Sequence, residues 1–202
     1  MLTQSRRTLL DLSAQGKTIP VIENRLQFAH AFDTPHVRAV ILRHCNLFEF
    51  AALLERAHRR GLSVYVNIDH IEGVHADAAG LRYLAEHFHV AGIISTHPRT
   101  LSVGKQCGLE TIQRIFAADS TGLEAAIESV DTRYVDLLDI APALVIPYVI
   151  PYLETPLPLP FIASGLIYTP QQVQAVLRAG ALGVTVTRQL LGELGGDSLH
   201  KR

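Results

Sequence analysis

The densest group of residues able to do chemistry runs from Asn67 to Asp77. Asn67, Asp69, His70, Glu72, His75 and Asp77 follow at once on an apolar stretch that includes Val64, Tyr65 and Val66. Asp69 and Glu72 are close enough in sequence to act as a pair. Two carboxylates can accept hydrogen bonds from hydroxyls, hold a divalent cation, or share acid and base work. Similar polar ends close other apolar stretches: Ser95 ends GIIS, Ser164, Gly165 and Leu166 follow FIA, and Thr185 and Thr187 lie in GVTVT. Hydroxyls beside a glycine suit an anion, because bare backbone lets N–H groups point at a phosphate. Arg114 adjoins Gln113 in TIQRIF, so only one of the two can face inward. An inward Arg114 needs an anionic partner, such as Asp69 or a ligand phosphate, because an unpaired buried charge is very costly. The candidate ligand-binding residues are therefore Asp69, Glu72, Ser95, Arg114, Ser164, Gly165, Leu166, Thr185 and Thr187. Each also has a plainer use, as a loop cap, a tight turn or a strand-forming threonine.

To gather these groups on one face, the strands that carry them must run parallel. Strand candidates recur at Ile19–Ile22, Ala39–Arg43, Ser63–Ile68, Gly92–Ser95, Thr111–Phe116, Tyr134–Ile140, Phe161–Ala163 and Gly183–Thr187. Helical spacing fills most of the gaps. In Leu47–Arg60 the residues Leu47, Phe50, Ala51, Leu54 and Ala57 form an apolar face, and Gly61 supplies a stop. Ala79–Phe88 and Pro170–Ala179 repeat the pattern, the latter with Thr169 as cap and Gly180 at its end. Strand and helix alternate with almost no hairpin signal, which implies right-handed parallel crossovers. An open doubly wound sheet competes, but no GxGxxG follows the first strand. The expected fold is α/β, a compact TIM-type (β/α)8 parallel barrel spanning residues 1–202 as one domain, with an end that frays after Gly195. The chain is short for such a barrel, which typically takes roughly 250 residues.

One region breaks the rhythm. Pro142, Pro147, Pro151, Pro156, Pro158 and Pro160 crowd the segment Asp139–Pro160. Prolines at 147 and 151 should kink or break any helix there, and TPLPLP reads as an extended connector.

Bulk properties narrow the field. A net charge of −1 supplies no basic field for non-specific nucleic-acid binding, although a local patch remains open. The candidate patch is Arg56, Arg59 and Arg60, with Arg6 and Arg7 as a second cluster. Cys45 and Cys107 are isolated, which makes neither a zinc site nor a disulfide framework. No metal or cofactor is expected. No apolar run reaches the roughly 18 residues of a spanning helix, so a cytoplasmic protein without membrane contact is expected. A nucleophile elbow, HExxH, a Walker loop and an obvious Schiff-base lysine are all missing, and only Lys17 and Lys105 precede the tail. The polar groups suit binding better than catalysis, and no catalytic residue is assigned.

Several strings, in this order and spacing, resemble the glycerol-3-phosphate-responsive antiterminator family. They are NIDHIEG with Asp77 and Gly80 following, AGIIST, GLETIQRIF-AADS, FIASGLI and AGALGVTVT. The resemblance is best from Val64 to Ser120 and returns from Pro160 to Thr187. It implies a compact barrel that binds glycerol 3-phosphate and, once liganded, acts on a messenger RNA leader to prevent premature termination. The departures are specific. Asn67 stands where the family usually has histidine, and His97-Pro98 precede Arg99 after the GIIST string. Ser164-Gly165 replaces paired glycines, and DLLDIAPALVIP replaces an acidic, apolar, Pro-Gly stretch.

Two functions therefore compete. One is a glycerol 3-phosphate sensor acting on RNA, with Arg56, Arg59 and Arg60 as the RNA face. The other is a small barrel lyase or isomerase acting on a phosphorylated metabolite, with Asp69 and Glu72 as acid and base. The oligomeric state, including a homo-oligomer, is left open.

Overall fold

The computed structural model describes residues 8, 9, 11, 17–23, 36–186, 190 and 194. Thr187, Arg6 and Arg7, and the stretch after Gly195, lie outside them. Eight strands form a closed, all-parallel barrel in sequence order. They are β1 (Thr18–Ile22), β2 (Ala39–Leu42), β3 (Ser63–Asn67), β4 (Gly92–Ser95), β5 (Glu110–Phe116), β6 (Leu137–Ala141), β7 (Phe161–Ala163) and β8 (Gly183–Val186). Closure comes from β1, which pairs with β2 on one side and with β8 on the other. All eight expected strands are present.

The largest shift is at β6, which starts at Leu137 and not at Tyr134. The Asp131 carbonyl accepts from the N–H groups of Tyr134 and Val135 and holds that stretch in a turn. Asp136 then caps the neighbouring strand by accepting from the Thr111 N–H at 2.9 Å.

Helices α1 (Leu47–Arg59), α2 (Ala78–Glu86), α3 (Pro98–Gln106), α4 (Ser120–Glu128), α5 (Ile146–Val149) and α6 (Pro170–Arg178) lie between the strands. Asn46, Asp77, Asp119 and Thr169 cap α1, α2, α4 and α6 through their side chains, each satisfying a backbone donor of the first turn. At α6 the cap is reciprocal, since Gln172 reaches back to the Thr169 N–H. The buried face of α1 holds Phe50, Leu53, Leu54 and Ala57. Leu53 thus takes the place expected for Ala51, which is exposed.

The proline-rich region holds helix only in short pieces, a 3-10 turn at Ala143–Val145, α5 and a 3-10 turn at Ile150–Tyr152, broken as the prolines lead one to expect. Pro147 and Pro151 each sit in the first turn of their own piece, α5 and the second 3-10 turn, where a missing N–H costs nothing.

The core has two shells. Ile19, Ile41, Tyr65, Ile94, Ile112, Leu137 and Ile162 fill the barrel's interior, together with Leu9. A larger shell, with Phe50, Val66, Ile93, Leu101, Ile140 and Val184, seals the barrel against the helices. Among the interior residues, Glu110 accepts from the Tyr65 hydroxyl and from the Leu9 N–H, tying Leu9 to the barrel. Burial pushes the Glu110 carboxyl above its ordinary range, although both hydrogen bonds pull it back. These packed apolar layers leave only the strand ends free for polar work.

Candidate ligand-binding site

A cavity of about 380 Å³ opens among the strand ends. Its polar lining comes from Glu23, Arg43, Asn67, Arg114, Ser164 and Thr185, and the loop after β7 adds Gly165, Leu166 and Ile167. Phe116, Leu166 and Tyr168 form an exposed apolar rim.

Arg114 is the inward residue of β5, while Gln113 is buried on the opposite side of the sheet. The expected pairing with Asp69 is corrected. β5 and β6 pair so that Arg114 lies in register with Asp139, and Arg114 Nε donates to Asp139 Oδ2 at 2.8 Å. Arg114 Nη2 also lies 2.6 Å from Asp139 Oδ2 and donates to Ser164 Oγ at 2.9 Å. Asp139 is fully buried, so this ion pair is shielded from solvent. Arg114 Nη1 donates to no described residue and remains available. A second pair lines the same cavity, with Arg43 Nε donating to Glu23 Oε1 at 3.0 Å.

The loop after β7 has an unusual backbone. Gly165 and Leu166 take φ values of +90° and +58°, both in the left-handed region. The Ala143 N–H anchors the loop by donating to the carbonyls of Ser164 and Gly165 at 2.8 and 3.0 Å. The N–H groups of Gly165, Leu166 and Ile167 donate to no described residue. Amides without an internal acceptor beside a guanidinium have the donor chemistry that suits an anion.

Asp69, Ser95 and Glu72 do not line this cavity, although all three lie at or past the carboxyl ends of β3 and β4, the same end of the barrel as Arg114. Asp69 lies in a 3-10 turn after β3 and faces the end of β4. Its Oδ1 accepts from Ser95 Oγ at 2.6 Å, and its Oδ2 from the Thr96 N–H and Oγ1 at 2.7 and 2.9 Å. Those bonds use both oxygens to clamp two loops together. Glu72 is exposed, and its backbone bridges to Asn46 beside α1. The acid–base pair proposed for an enzyme therefore does not face the cavity. Arg114, Ser164, Gly165, Leu166 and Thr185 do line it as expected, and Thr187 is outside the described residues.

Sequence reasoning missed Asp139, Arg43 and Glu23. Glu23 and Arg43 carried the signal used elsewhere, a charged residue just past the end of an apolar strand, whereas Asp139 sits in the middle of β6. Near the cavity, His70 packs beside His44 with ring centroids 4.7 Å apart. Burial holds the His70 imidazole below its ordinary range, helped by His44, Arg43 and Arg114 and opposed by Asp69. No cluster of groups able to hold a metal occurs among the described residues. No helix among them is long and apolar enough to cross a membrane.

Residues 18–191 match the family model described as glycerol-3-phosphate responsive antiterminator. The chain belongs to that family. It is a family of regulators. This chain is similar to the solved glycerol uptake operon antiterminator regulatory protein of Listeria monocytogenes, at 26% identity and a TM-score of 0.75. That match covers 85% of this chain and 91% of the Listeria chain. A glycerol uptake operon antiterminator-related protein of Thermotoga maritima matches at 22% identity and TM-score 0.74, over 88% and 98% of the two chains. That likeness concerns the fold alone. The uncharacterized protein YgcP of Escherichia coli is 22% identical over 179 residues, 89% of this chain and 93% of that one.

Proposed function

We propose that this antiterminator-family chain senses glycerol 3-phosphate in the cytoplasm. The liganded form acts on a messenger RNA leader and prevents premature termination of glycerol-utilisation genes. One observation carries the reading: three loop amides with no internal acceptor share a cavity with an arginine that still has a donor to give. The phosphate rests on the amides of Gly165, Leu166 and Ile167, with Arg114, Ser164 and Thr185 completing the cradle. Asp139 holds the guanidinium in place before the ligand arrives, so little ordering is left for binding to supply. A sensor also needs contacts that differ between two states. The exposed loop at Gly165 and Leu166 is where those contacts arise, because a phosphate engages amides that are otherwise unpaired.

The RNA face is assigned to α1, where Arg56, Arg59 and Arg60 are all exposed. Arg59 is paired with Glu55 at 3.3 Å, an exposed i,i+4 contact of small energetic worth that a phosphate backbone can displace. The three arginines lie in and just past the last turn of α1, whose first turn follows Arg43 at the cavity by a few residues, so a signal from the ligand would travel the length of this helix.

Titration calorimetry tests the ligand. Glycerol 3-phosphate is expected to bind once per chain, about tenfold or more tighter than either glycerol or inorganic phosphate. Phosphorus NMR should then recover it unchanged. No binding, or steady consumption of the compound, contradicts the reading.

A further inference from the structure

Asn67 ends β3, lines the cavity and is 1% exposed, yet its carboxamide is unpaired. Oδ1 is a buried acceptor with no hydrogen-bond partner, and Nδ2 donates to no described residue. Protein interiors rarely leave such a group unsatisfied. Exchanging the amide's oxygen and nitrogen changes nothing, because neither has a partner. Asp139 Oδ1 is the other unpaired buried side-chain atom among the described residues. Asp139 is not part of the cavity wall, and its other oxygen is committed to Arg114. Asn67 is thus the residue whose whole polar group is left for something inside the cavity.

The chemistry of an amide narrows what that something is. A phosphate offers acceptors alone at neutral pH and would leave the carboxamide oxygen unpaired. Water could fill the space but would select nothing. Two hydroxyls on adjacent carbons match the amide on both sides, one donating to Oδ1 and the other accepting from Nδ2. A site that pairs buried polar groups with substrate hydroxyls rejects analogues lacking them more strongly than an apolar wall rejects an extra group.

We propose that Asn67 is the specificity-determining residue of the site. It reads the vicinal diol of a polyol phosphate whose phosphate lies on the loop after β7. This rests on the sensor reading above and adds to it which end of the ligand is checked, and by which group.

The test compares glycerol 3-phosphate, glycerol 2-phosphate and n-propyl phosphate by calorimetry, on the wild-type chain and on Asn67→Ala and Asn67→Ser. Glycerol 2-phosphate keeps both hydroxyls but places them on non-adjacent carbons, and propyl phosphate has none. The wild type should prefer glycerol 3-phosphate to each analogue by about tenfold or more. In both variants the preference should collapse to within about threefold, through weaker binding of glycerol 3-phosphate, with propyl phosphate nearly unchanged. Variants that keep the full preference overturn the role of Asn67 and leave the phosphate site standing. Equal wild-type binding of all three esters overturns it too, and needs no variant to fold. Failure of the wild type to bind any of the three brings down the sensor reading, and this inference with it.

Discussion

Arg114→Met should be the most damaging single change in the site, costing the fold about 3–5 kcal/mol and abolishing ligand binding. The stability loss follows from Asp139. Its carboxylate is fully buried, Arg114 is its partner through two nitrogens, and its Oδ1 already has none. Removing the guanidinium leaves a desolvated charge with nothing to offset it. The binding loss is separate, since Arg114 is the cation bonded to Ser164 beside the loop amides. A second variant divides the two effects. Arg114→Met combined with Asp139→Leu exchanges the ion pair for apolar groups, which is often neutral for stability. Urea melts should show the double variant recovering most of the lost stability, while calorimetry still finds no binding. Recovery of binding along with stability would mean that Arg114 only supports the wall and does not touch the ligand.

The second large effect is expected at Gly165. A Cβ built there meets nothing nearer than the Pro142 Cα at 3.9 Å, so space is not the obstacle. The obstacle is torsional: φ is +90°, and a β-branched residue pays roughly 1–3 kcal/mol to stay there. Gly165→Val should therefore keep the barrel, because the loop lies outside the strand ladder, but reset the backbone from Gly165 to Ile167. Three loop amides then lose their common aim, and affinity for glycerol 3-phosphate should fall at least about tenfold. Gly165→Asn should fall between valine and wild type, since asparagine tolerates the left-handed region. Unchanged affinity in Gly165→Val would remove this loop from the site.

The two substitutions also mark how much could be read from the chain. The eight strands were legible because each is a short β-branched run bounded by turn residues, with helical periodicity between. Gly165 was legible for the same reason, as a glycine directly past a strand end. The partner of Arg114 was not. Strand register decides it, and the pairing of β5 with β6 places Arg114 beside Asp139, while Asp69 turns away into the 3-10 segment after β3. Nothing in residue spacing encodes that register across separate strands. Asp69 carried a strong local signal, a carboxylate at a strand end, and spends it on Ser95 and Thr96. Pro147 and Pro151 were legible as breaks, since they leave only short helical pieces. A proline forbids a helix interior but favours a helix start, and spacing alone does not show that each opens the next piece.

The family assignment and the cavity meet in a single claim: a ligand held at the strand ends changes what the protein does to RNA. Transcription through the leader of a glycerol-utilisation operon from the same genome, with its terminator intact, measures this directly. Full-length transcript is counted with protein alone, with glycerol 3-phosphate alone and with both. Only protein and ligand together should raise readthrough. Arg114→Met/Asp139→Leu should abolish the rise, and added salt should weaken it, as expected for contacts to phosphates. Readthrough that is unchanged by the ligand, or equal with the wild type and that double variant, would contradict the account.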